Sequence, residues 1–137
     1  MPSTINPHQA LVYVMVTMSA VDRKMSDHEL MRIGNIVQSL PIFRDFDPER
    51  LVSVAEECGE ILSEDGGLDA ILGLVKEALP ERLRETAYAL AVEVAAVDLD
   101  VQQEELRFLQ ILRDHLDLDK LTVAAIERAA RARYRTM

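Results

Sequence analysis

The chain writes one pattern twice. Residues 14–40 and 90–116 align without a gap: Ala20-Val21-Asp22 falls on Ala96-Val97-Asp98, Glu29-Leu30 on Glu105-Leu106 and Leu40 on Leu116, each 76 positions further on. Each copy holds an aspartate and, seven positions later, a glutamate. Apolar residues recur in both copies at helical spacing, and no segment alternates with period two for long enough to make a sheet. The pattern therefore predicts an all-α fold in which one helix pair occurs twice, related by a pseudo-twofold axis.

The local signals divide the chain into seven helices. Asn6-Pro7 reads as an N-cap and first helical residue, opening a helix to about Val21 whose near-continuous apolar face predicts a central, buried position. Ser26 and Glu29 form an S-x-x-E capping box for the second helix, whose stripe is Leu30, Ile33, Ile36, Val37 and Leu40, and Pro41 ends it. Asp47-Pro48-Glu49 opens a third helix to about Ser63, with Leu51, Val54, Ala55, Cys58, Ile61 and Leu62 inward. Asp65-Gly66-Gly67 breaks it. A fourth helix follows at about 68–79, and Pro80 opens a fifth, Ala-rich helix to about 97. The sixth, about 102–115, would bury Leu106, Leu109, Ile111 or Leu112, and Leu116. Asp117–Asp119 reads as a turn before a last helix from about Thr122 to Arg133. No low-complexity linker separates the halves, so one domain spanning 1–137 is expected.

Composition narrows the chemistry. With 49% hydrophobic residues but no Trp, the core must be aliphatic, and four of the six Met residues, within 15–31, read as core filler. A net charge of −9 opposes nucleic acid and anionic lipid and suits cations or a basic partner. Against that trend, Arg128, Arg131, Arg133 and Arg135 crowd the C-terminal segment. They fit either a helix end whose cations complement the macrodipole or a basic strip that docks an acidic partner. One cysteine, Cys58, excludes an internal disulfide and a thiolate-rich zinc site, and reads as an inert, partly buried thiol. No signal peptide is visible, and the longest apolar stretch, 10–21, is too short to span a bilayer, so a cytoplasmic protein without membrane insertion is expected.

No catalytic pattern is complete, and a non-enzyme is expected. His28-Glu29 begins like H-E-x-x-H, but Arg32 stands where the second histidine belongs. His8, His28 and His115 are dispersed and read as surface or cap residues. The recurring acids admit three accounts. Glu29 and Glu105, in the first turn of their helices, can satisfy backbone amides, and Asp22 and Asp98 can accept from the turn. If the twofold axis brings the joints together, Asp22, Glu29, Asp98 and Glu105, with Asp100 in the second copy, offer hard oxygen ligands for Ca²⁺, Mg²⁺ or Mn²⁺. Lys24 replaces Asp100 in the first copy, and Leu109 stands where an EF-hand needs its bidentate Glu. Acidic joints beside exposed apolar residues could instead receive a basic protein partner.

At these residues the chain resembles the tellurite-resistance TerB-like family. That family's signature is an alanine-rich helix, Ala-x-Asp-Gly, an apolar residue and a Glu opening the next helix. The match runs from Ala20-Val21-Asp22 through Met25 to Glu29, and again from Ala96-Val97-Asp98 through Val101 to Glu105. Arg23 and Leu99 take the place of the family's Gly. The resemblance implies an all-helical cytoplasmic domain linked to tellurite resistance or to metal and chemical stress, with metal binding through its acids and action beside membrane partners.

Overall fold

The computed structural model describes residues 4–21, 25–97 and 103–137. Among them lie seven α-helices and no strand: α1 Pro7–Ala20, α2 Asp27–Ser39, α3 Leu51–Leu62, α4 Gly67–Ala78, α5 Arg84–Val97, α6 Gln103–His115 and α7 Lys120–Arg133. The bounds of α6 are those of α2 displaced by 76 positions, the displacement of the sequence repeat.

The start of α1 follows from its residues. Asn6 accepts the Gln9 amide at 2.8 Å while the Gln9 side chain accepts the Asn6 amide at 2.9 Å, and Pro7 takes the first helical position, where a missing N–H loses nothing. Residues 10–19 are buried all round the helix, including Thr17 and Ser19. A helix apolar on every side has no face to give to water, so it becomes the hub: α1 packs on α3, α5 and α4 and touches α2 and α6. The buried residues of all the helices form one cluster around it.

Prolines start two helices differently from the sequence expectation. Pro48–Arg50 and Glu81–Leu83 are 3₁₀ turns that run into α3 and α5, and a third such turn, Pro41–Phe43, follows α2. Pro fixes φ for either helix type, so it marks the start without choosing the first hydrogen bond. Helix α7 begins at Lys120, two residues before the expected Thr122. Asp119 is its N-cap, accepting the Thr122 amide at 2.7 Å and the Thr122 hydroxyl at 3.0 Å, and these bonds hold its carboxyl below the ordinary range.

Four burial expectations need correction. On α6 the inward stripe is Glu105, Phe108, Leu109 and Leu112, while Leu106 is 56% exposed. Leu40 also faces solvent, and Ile61 and Leu62 are only half-buried. Of the Met residues expected as filler, Met15 and Met18 are buried and Met25 is half-buried, but Met31 is 66% exposed.

His8 is half-buried in the first turn of α1. Its Nε2 donates to the Ile42 carbonyl at 2.8 Å, and its ring lies against Phe43 and Phe46, tying α1 to the segment between α2 and α3. His28 is exposed as expected, and His115 is half-buried.

Candidate functional site

Two of the five candidate ligands can be located. Glu29 and Glu105 are each the third residue of their helix, at matching places in α2 and α6. Asp22, Asp98 and Asp100 lie outside the described residues, as do Lys24, Arg23 and Leu99.

Glu29 has a local task. Its Oε1 accepts the Ser26 amide at 2.9 Å and the Ser26 hydroxyl at 3.1 Å, while the Glu29 amide donates back to Ser26 Oγ at 3.2 Å. That is the reciprocal capping box the sequence predicts, and it occupies one oxygen of the carboxylate. Glu105 is 7% exposed. Among the described residues, no three His, Cys, Asp or Glu side chains converge closely enough to hold a metal ion.

A concave surface lies elsewhere, where α6 and α7 both rest on α5. It is a groove of about 760 Å³ that the sequence reading did not find. Tyr88, on α5 and fully buried, donates to Glu127 Oε2 at 2.5 Å, and Arg113 reaches the same oxygen at 3.3 Å and the Tyr88 hydroxyl at 3.4 Å. This three-way contact joins α5, α6 and α7. Burial and the Glu127 carboxylate push the Tyr88 phenol up to about 12. Further along α7, Arg133 and Tyr134 both donate to the carboxylate of Glu93 on α5, and the Arg133 guanidinium lies 5.8 Å from the Tyr134 ring centre. So Arg133, one of the four arginines of the C-terminal segment, is engaged in holding α7 down, while Arg128, Arg131 and Arg135 are exposed.

Cys58 is more deeply buried than its sequence context implied, with no exposed surface. Its Sγ donates to the Tyr13 carbonyl at 3.7 Å and lies 3.6 Å from Thr17 Oγ1. Burial raises the thiol from its ordinary 9.0 to about 11. A folded state that resists ionisation keeps this advantage in full below pH 9.0 and loses it as pH rises through about 11. Urea midpoints will therefore fall from pH 9 upward, and Cys58→Ala will make the decline between pH 9 and 10 shallower. In native buffer near pH 8 a thiol reagent will modify Cys58 only as fast as the chain unfolds.

Fold and site together define a small all-α bundle with a buried first helix and a capping box at the joint between α1 and α2. A family profile described as tellurite resistance protein TerB matches residues 8–129, and the chain belongs to that family. It is thus a tellurite-resistance-associated domain, and the resemblance read from the paired motifs is correct. No curated protein and no solved structure matches the chain. None of the described helices is long and apolar enough to cross a membrane.

Proposed function

We propose that this TerB domain is a non-enzymatic adaptor of the cytoplasmic stress response, in which the motif acids cap helices and a protein partner is the ligand. The observation that carries this reading is the capping box at Glu29, whose carboxylate already accepts two hydrogen bonds from Ser26. A group so engaged contributes to the helix start, worth about 1 kcal/mol, without any ion. The net charge of −9 supports a protein rather than a nucleic acid as partner.

A second reading draws on the matching position of Glu29 and Glu105 at the third residue of α2 and α6. In it, Asp22, Glu29, Asp98 and Glu105, with Asp100, surround one Ca²⁺, Mg²⁺ or Mn²⁺ across a pseudo-twofold axis, and the ion offsets their repulsion. Thermal melting with each cation separates the two. The adaptor reading expects an unchanged midpoint. The cation reading expects a rise that Asp22→Asn with Asp98→Asn removes.

A further inference from the structure

We infer that the groove between α6 and α7 is a docking site for an acidic amphipathic helix of a partner protein. The inference rests on the adaptor reading and names the partner's chemistry.

The shape argues for a helix. Leu106, Leu109, Gln110 and Arg113 line the groove from α6, spaced i, i+3, i+4, i+7. Glu127, Ala130 and Arg131 of α7, with its C-cap Tyr134, line it with the same spacing. Each wall is one helical stripe, about 10 Å or two turns long. The floor is Val92, Ala95 and Ala96 of α5, and its alanines let another backbone approach closely. Both α6 and α7 pack on α5 but not comparably on each other. The Tyr88–Glu127–Arg113 contact ties them at the end nearer their connecting turn, and the rest of the stripe stays open. Leu106, expected in the core and found 56% exposed, faces this opening. Laying an apolar helical stripe into such a groove is a common mode of peptide recognition.

Charge decides the kind of helix. Arg113, Arg131 and Arg135 line the groove against one carboxylate, Glu127, which Arg113 already pairs. Beyond Leu106 and Gln110 the surface continues over Glu104 and Arg107, whose charges offset each other. A net positive groove on a chain of charge −9 is the reverse of its average surface, and it selects an apolar stripe flanked by acids over one flanked by bases. Arg131, Tyr134 and Arg135 lie past the residues matched by the family profile.

The test is fluorescence anisotropy with a labelled helical peptide of about three turns, carrying Leu at i, i+3, i+4 and i+7 and Glu on both flanks. The whole 137-residue chain is the titrant. The acidic peptide will bind saturably and weaken with added salt. Arg131→Glu with Arg135→Glu, and separately Leu106→Asp, will each weaken it about tenfold or more. All three substitutions are at exposed positions, and unchanged melting temperatures will show that the variants fold. Equal binding of a peptide with Lys in place of Glu overturns the inference. So does preferential capture on vesicles rich in phosphatidylserine, or concentration-dependent dimerisation that Leu106→Asp abolishes, which would make the occupant a lipid surface or a second copy. Failure of the acidic peptide removes the groove assignment but leaves the adaptor reading standing, because that reading falls only to a cation-dependent rise in melting temperature.

Discussion

Replacing Met15 by alanine will destabilise the domain by about 2–5 kcal/mol, and Met15→Asp will leave it unfolded. Met15 is fully buried midway along α1, the helix against which α3, α4 and α5 pack. Removing its side chain loses the transfer energy of the deleted atoms and opens a cavity that several helices cannot close together. Since domains of this size hold only about 5–15 kcal/mol of net stability, the alanine variant should remain folded with a clearly lower urea midpoint. An unpaired carboxylate at the same point exceeds that margin, because several kcal/mol are needed to bury it. Met31→Ala is the control: Met31 is 66% exposed on α2, and its loss should change stability by less than about 0.5 kcal/mol. Equal effects at the two positions would show that α1 is not the hub.

Gly67→Ala will be the most damaging of the glycine substitutions, at about 3 kcal/mol or more. A Cβ there would lie 2.1 Å from the Ile61 carbonyl oxygen and 2.9 Å from the Leu62 Cα. Both atoms are backbone, so no side chain can rotate away; the end of α3 or the start of α4 must shift. The preceding Gly66 has φ +73°, the left-handed conformation that lets the chain turn back so sharply. Gly73 offers the contrast. It sits inside α4 with open space where its Cβ would be, so Gly73→Ala should stabilise by about 1 kcal/mol through helix propensity alone. Chemical denaturation of the pair will give shifts of opposite sign.

Helix starts were legible in the sequence where a side chain and a backbone amide form a short, local partnership. Ser26 with Glu29 is such a partnership and its box forms as read; Asn6 caps α1 as read, and Gln9 completes a second box that the sequence reading did not name. Asp119 with Thr122 is another, less visible because Asp117 and Asp119 together also have the composition of a turn. Burial was legible where a helix is apolar all round, as in α1, and less so where two apolar stripes compete. On α6, Leu109 can belong to a stripe with Phe108 and Leu112 or to one with Leu106, on different sides of the helix, and packing on α5 and α1 decides which faces inward. The groove was hidden for the same reason. Its walls come from residues about 20 positions apart in sequence, and its existence depends on α6 and α7 sharing α5 as a support. The C-terminal arginines carried the single advance signal, though Arg133 proved to be engaged by Glu93.

The most direct measurement is the melting temperature of the chain in chelator and then in about 1 mM Ca²⁺, Mg²⁺ or Mn²⁺. A site filled at a hundred times its Kd would add about 2.7 kcal/mol, a shift of several degrees for a domain of this size. With the motif acids acting as caps, the midpoint will be the same in all four solutions. A rise of several degrees with one cation, lost in the Asp22→Asn, Asp98→Asn double variant, would contradict this and place the ion at the joints.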